Sequence, residues 1–135
     1  LPLHPDSRAA FERLHASGIR IVTLTNGSAE NAATLFRNVG LDGFVERKLS
    51  VDDVRHWKPH RDVYLHAARV TGVQPSQVAL IAAHPWDIAG ARRAGLTTGF
   101  VARRGAHYPS VMDPPDVQGA TLGEVADRLL SLHAA

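Results

Sequence analysis

The sequence contains no cysteine in its 135 residues. That excludes disulfides and thiolate metal sites, and it suits the cytoplasmic location expected here. No apolar run reaches membrane-spanning length, and the start LPLHPD has neither a basic n-region nor an apolar h-region, so neither export nor a membrane partner is expected. Charge of one sign is also scarce: 15 Lys and Arg against 13 Asp and Glu leave a formal +2. Basic residues adjoin mainly at Arg92 with Arg93 and Arg103 with Arg104. Two such pairs are weak grounds for phosphate or nucleic-acid binding, and solvated surface is the simpler reading, so no nucleic-acid partner is expected. There is no G-x-S-x-G elbow, P-loop or G-x-G-x-x-G, so serine-hydrolase and nucleotide-binding readings lack their signatures. Aromatics make up only 6%, yet 44% hydrophobic residues suffice for a single core, in one domain or one piece of a larger one.

Helices and strands alternate along the chain. Pro5, Asp6 and Ser7 read as a helix start, followed by an apolar stripe of Ala10, Phe11 and Leu14 that Gly18 ends. Ile19 to Leu24 read as a buried strand, Thr25 to Ser28 as its polar crest, and Ser28 as the N-cap of a helix running to about Val39 before Gly40. Phe44 to Val51 is a weaker strand, interrupted by Glu46, Arg47 and Lys48 as suits a sheet edge. A helical turn over Asp52 to His56 precedes Lys58 and Pro59, and a helix from Asp62 to Val70 is stopped by Gly72. Val78 to Ala83 make the next strand, a helix from Asp87 is closed by Gly95, and Thr97 to Ala102 make a further strand. A loop with Pro109, Pro114 and Pro115 leads to a terminal helix from about Leu122 to Leu132. Short connections between alternating elements predict an α/β fold with a mainly parallel sheet. No repeat or linker divides the chain, so residues 1–135 are expected to form a single domain.

In parallel sheets, ligands gather beyond the carboxyl ends of strands. Three polar clusters fall at such ends: Thr25 with Asn26, Lys58, and His84 with Asp87. Right-handed crossovers put these ends on one edge, where one pocket is expected to collect them. Lys58 lies between Trp57 and Pro59 rather than on a charged helix face, which makes it a candidate buried cation with Asp87 as counter-charge. Such a pair facing a cleft stabilises a second, reacting carboxylate or a developing anion. The plainer alternative is a surface lysine and an aspartate that caps a helix N-terminus. Thr25 and Asn26 can donate hydrogen bonds to an anion while Gly27 admits close backbone approach; the alternative is a simple strand-to-helix turn. Among the eight histidines, His56, His60 and His66 are the nearest group. Pro59 breaks any helical face common to His56 and His60, and no Cys or carboxylate completes a ligand spacing, so no metal is expected.

Taken in order, LTNGS at 24–28, LSVDDVRHWKPHRDVY at 49–64 and AAHPWDIAGARRAGL at 82–96 resemble the haloacid dehalogenase superfamily, specifically its type II 2-haloacid dehalogenases. The likeness covers almost the whole chain. It implies a Rossmannoid, three-layer α/β fold and hydrolysis of a small halogenated carboxylic acid, a 2-haloalkanoic acid, through an aspartyl ester and without a cofactor. It also implies roles for residues. Thr25 takes the second motif's hydroxyl position, and with its neighbour Asn26 is expected to contact the substrate carboxylate or the reacting aspartate. Lys58 is similar to the third-motif lysine that neutralises the nucleophilic carboxylate, and Asp87 to the fourth-motif carboxylate that orients lysine and hydrolytic water. Tyr64 matches a tyrosine at the active-site margin, and Trp86 a tryptophan beside the carboxylate. A homodimer is compatible with the resemblance.

Three departures qualify it. Where type II dehalogenases usually have a Ser-Ser-Asn run, this chain has Ala82, Ala83 and His84, so His84 is expected to replace the asparagine as a donor or water-positioning group, or to change the substrate. Related phosphatases hold Mg²⁺ with an acidic residue where Ala83 stands, and losing a hard oxygen ligand weakens such a site. Metal-independent dehalogenation therefore fits better than phosphatase chemistry. A phosphatase with an altered metal site, needing Mg²⁺, is the alternative enzyme, and a non-catalytic module binding a partner through exposed sheet edges is the alternative of another class. The third departure is that nothing before Thr25 resembles the first motif, with its nucleophilic aspartate, or the helical cap after it; Asp42 with Gly43 follows the second motif, in a turn after a helix. The chain thus resembles the C-terminal part of a dehalogenase that lacks its central first strand. By the family's topology that strand lies between the strands at 19–24 and 78–83, whose bared apolar edges favour aggregation or pairing. Expressed alone, these 135 residues are expected to be poorly soluble or oligomeric by size-exclusion chromatography, and inactive. A stable monomer with turnover contradicts the fragment reading.

Overall fold

Backbone contacts divide the chain between Trp57 and Lys58, at a place that no linker composition marks, into units Leu1–Trp57 and Lys58–Ala135. The computed structural model describes residues 5–134. The expectations drawn from Leu1 to His4 lie outside these.

The first unit runs α1 (Ser7–Ala16), β1 (Val22–Thr25), α2 (Ala29–Asn38) and β2 (Arg47–Ser50), with 3-10 turns at Asp42–Phe44 and Val51–Asp53. β1 starts later than the predicted strand because the Ile19 N–H turns back to the Leu14 carbonyl at 3.1 Å and finishes α1 instead of joining a ladder. β1 and β2 are parallel, in a register from Val22 opposite Arg47 to Thr25 opposite Ser50. α2 starts where Ser28 was expected to cap it, the Ser28 hydroxyl accepting the Asn31 N–H at 3.0 Å. Two of the three charges that interrupt the second strand are paired: Lys48 lies 2.6 Å from Asp42, and Arg20 grips Glu46 through two nitrogens.

The second unit runs α3 (Arg61–Thr71), a 3-10 turn at Pro75–Gln77, β3 (Ala79–Ala82), α4 (Pro85–Arg93), β4 (Thr97–Val101), β5 (Val117–Gly119) and α5 (Leu122–Ala134). Gly72, with φ 72°, closes α3 in a left-handed conformation that a side chain would strain. The sheet has the order β3, β4, β5, all parallel. α5 covers one sheet face, where Val101, Val125 and Leu129 are buried with Ile81, Val117 and Leu122 packed around them.

β5 stands where the sequence reading expected loop. It is only three residues long and follows two prolines, so its pattern is too short to announce itself. Asp116 supplies the missing organisation. Its Oδ2 accepts the Thr98 N–H at 2.8 Å and the Thr98 hydroxyl at 3.2 Å, and its own N–H donates back to that hydroxyl at 3.1 Å. Its Oδ1 takes Arg92 at 2.8 Å, while Arg93 lies 3.6 Å from Asp113, so one of the two arginine pairs is engaged with acidic neighbours. Thr98 is fully buried, so Asp116→Ala strands its donors. This substitution is expected to destabilise the protein by about 1–3 kcal/mol, measured by urea unfolding, through unsatisfied buried groups. A change within error would show that the β4 to β5 junction does not depend on Asp116.

Candidate active site

α4 begins at Pro85, whose fixed φ and missing N–H suit the first helical position. His84 is therefore the N-cap, and its side chain makes no capping hydrogen bond. Asp87, expected to start the helix, lies instead in its first turn, where the macrodipole favours its charge. Its carboxylate does not cap. Oδ1 accepts the Tyr64 hydroxyl proton at 2.7 Å, and Oδ2 accepts from Lys58 Nζ at 3.1 Å. All three groups are withdrawn from water: Tyr64 is 0% exposed, Asp87 5%, and the Lys58 side chain 11%. The surface-lysine and capping-aspartate alternative does not describe this geometry.

Tyr64 belongs to the buried face of α3, with Val63, Ala67 and Ala68. The resemblance put it at the substrate margin; within the second unit it is enclosed, its hydroxyl committed to Asp87. Burial pushes the Tyr64 hydroxyl well above the ordinary tyrosine range, and the hydrogen bond to the Asp87 carboxylate and its negative charge push it further. The phenol is thus held as a neutral donor.

His84 and Trp86 form a second pair on the same crest. Their rings stack at 5.4 Å between centroids with 27° between planes, and both residues are exposed. His60, raised as a metal-site candidate, caps α3: its Nδ1 accepts the Asp62 N–H at 3.1 Å. In the first unit, Thr25 ends β1 and Asn26 follows it, both half-buried. The Thr25 hydroxyl oxygen accepts the Gly27 N–H at 2.9 Å, the turn geometry anticipated as the alternative for this cluster. Ser50, which the sequence reading passed over, is buried and ties the same turn to β2 by donating to the Gly27 carbonyl at 2.8 Å. Its position directly after an apolar strand residue was the signal available.

In the second unit a lysine and an aspartate are joined where α4 follows the crest of β3. A family model described as haloacid dehalogenase-like hydrolase matches residues 1–95, and the chain belongs to that family. It is 30% identical over 127 residues to (S)-2-haloacid dehalogenase H-109 of Pseudomonas putida, covering 94% of this chain and 57% of that protein. It is also 30% identical over 112 residues to haloacetate dehalogenase H-2 of Moraxella sp. (strain B), covering 83% of this chain and 50% of that protein. In three dimensions it matches the L-2-haloacid dehalogenase of Xanthobacter autotrophicus with chloropropionic acid covalently bound, at TM-score 0.85 and 25% identity, over 95% of this chain and 60% of that one. The chain spans about half the length of the relatives it matches.

The enclosed phenol has a consequence for alkaline stability. Its folded-state pKa lies above the unfolded value near pH 10, so the stability gained by keeping it protonated is fully present below about pH 10 and lost as pH rises beyond it. In ultraviolet titrations of wild type and Tyr64→Phe, the substitution is expected to remove an ordinary tyrosine ionisation from the unfolded protein only. Removal of one near pH 10 from the folded protein contradicts the enclosed position.

Proposed function

We propose that the complete protein hydrolyses a 2-haloalkanoic acid, with an aspartate outside these 135 residues as nucleophile. The observation that carries this reading is the enclosed Lys58, Asp87 and Tyr64 cluster. Each Asp87 oxygen accepts one strong donor, which fixes the carboxylate's orientation and suits it to the role of an anchor for Lys58. Anchored in this way, the Lys58 amine is held at a fixed point, where it lowers the cost of a second carboxylate beside it. That second carboxylate attacks C2 of the substrate, the carbon–halogen bond breaks, and halide leaves with the bonding electrons. Water then adds to the carbonyl of the resulting ester, giving the 2-hydroxy acid and restoring the carboxylate with release of a proton. Splitting the displacement in two lowers each barrier.

By the motif resemblance, Thr25 and Asn26 are assigned to the substrate carboxylate or the reacting aspartate, and His84 and Trp86 to substrate contact. The relatives named for 2-haloacid and haloacetate dehalogenation support this substrate class, and the covalently bound chloropropionic acid of the Xanthobacter enzyme supports the ester route. Donor chemistry supports a reaction without Mg²⁺. The crest after β3 has Ala83 and His84 before Asp87, and a hard cation prefers several oxygen ligands.

Halide release from 2-haloacids by the complete protein tests the proposal. Asp87→Asn is expected to lower kcat by roughly a hundredfold or more, through a misplaced lysine, with the circular dichroism spectrum preserved. Chelating agents are expected to leave turnover unchanged. Unchanged activity in Asp87→Asn removes Asp87 from the mechanism, and phosphate-ester hydrolysis without halide release contradicts the reaction class.

A further inference from the structure

Glycine inside a helix is less favourable than alanine, so Gly90 in the interior of α4 calls for a compensating reason. The surroundings supply one. A Cβ at position 90 would lie 2.6 Å from Pro59 Cβ, 2.9 Å from the Pro59 carbonyl oxygen and 2.9 Å from Tyr64 Cε2. None of these is the loose end of a flexible side chain: one is backbone, one belongs to a proline ring, and one to a fully buried aromatic ring. Gly90 is also buried, one turn after Asp87 and therefore on the same side of α4.

The two residues that close on Gly90 are those that carry the donors to Asp87. Pro59 directly follows Lys58, and Tyr64 gives its hydroxyl to Asp87 Oδ1. We propose that Gly90 is a positioning residue for the ion pair: its bare Cα lets the Lys58 to Pro59 segment and the Tyr64 ring approach α4 closely enough to hold both donors on Asp87. A single added methyl forces Pro59 or Tyr64 outward, and either movement lengthens a bond to the carboxylate. This deepens the functional reading above, and its kinetic consequence rests on that reading; its geometric consequence does not.

The test uses the complete gene product with tyrosine labelled at ¹³Cζ, whose resonance reports the hydrogen bond made by the Tyr64 hydroxyl. Gly90→Ala is expected to retain the circular dichroism spectrum, to shift the Tyr64 resonance in the direction that Asp87→Asn shifts it, and to lower kcat by about tenfold or more with KM little changed. Adding Pro59→Gly, which removes one obstructing carbon and frees the obstructing carbonyl, is expected to restore the resonance and part of the turnover. If Gly90→Ala does not fold, the double variant carries the test: recovery of folding and of the resonance supports the proposal, and failure to recover overturns it. A lowered melting temperature with an unmoved Tyr64 resonance also overturns it, because packing alone would then be the role of Gly90. The resonance needs no substrate, so a wild-type protein that releases no halide refutes the functional reading and leaves the geometric one to be judged on its own.

Discussion

A lysine and an aspartate taken out of water together constrain everything around them. Removing either ion from solvent costs several kcal/mol, and the loss is recovered only through close, well-directed pairing. Asp87 therefore has to receive two donors, and it does, from Lys58 on one oxygen and Tyr64 on the other. Each requirement of that arrangement is met by a different piece of local chemistry. Pro85 starts α4 early enough to put Asp87 in its first turn, His60 caps α3 so that its buried face presents Tyr64, and Gly90 leaves room for both. Loss of one partner leaves the other as an uncompensated buried charge, typically a penalty of about 3–5 kcal/mol. The cluster is thus a constraint on folding, whatever chemistry it serves.

Much of this was legible beforehand, and the parts that were not have physical reasons. Helix ends were readable because capping is local: Ser28 starts α2 and Gly72 stops α3 where their side chains, or lack of them, dictate. The pairing of Lys58 with Asp87 was only a candidate in the sequence, because a surface lysine and a helix-capping aspartate explain the same residues, and the resemblance to the third and fourth motifs favoured it. β5 was not, because three residues carry no period and its organiser, Asp116, works through a partner eighteen positions away. The burial of Tyr64 follows from the spacing of Val63, Tyr64, Ala67 and Ala68, which places it on one apolar helix face. Gly90 passed as an ordinary member of a helix. Its contacts depend on how closely two segments approach, which no single-residue propensity encodes.

The two units contribute different things. In Leu1–Trp57 a short parallel ladder ends in a turn knitted by Thr25, Gly27 and Ser50, which leaves hydroxyl and amide groups at a strand end. In Lys58–Ala135 a three-stranded sheet, backed by α5 on an apolar face, supports the crest from which α4 departs. Family membership accounts for the scaffold. The crest itself, with Ala83 and His84 followed by a stacked Trp86, is where this chain departs from the usual Ser-Ser-Asn run.

The central claim is that Lys58 and Asp87 act as one unit on the reacting carboxylate. A double-mutant cycle in the complete protein measures this directly, with halide release from a 2-haloacid as the readout for Lys58→Met, Asp87→Asn and the pair together. Groups that act as a unit are strongly non-additive, so the double variant should lose little more turnover than the worse single variant, within about tenfold. Losses that multiply would mean that the two residues serve separate steps, and would contradict the account.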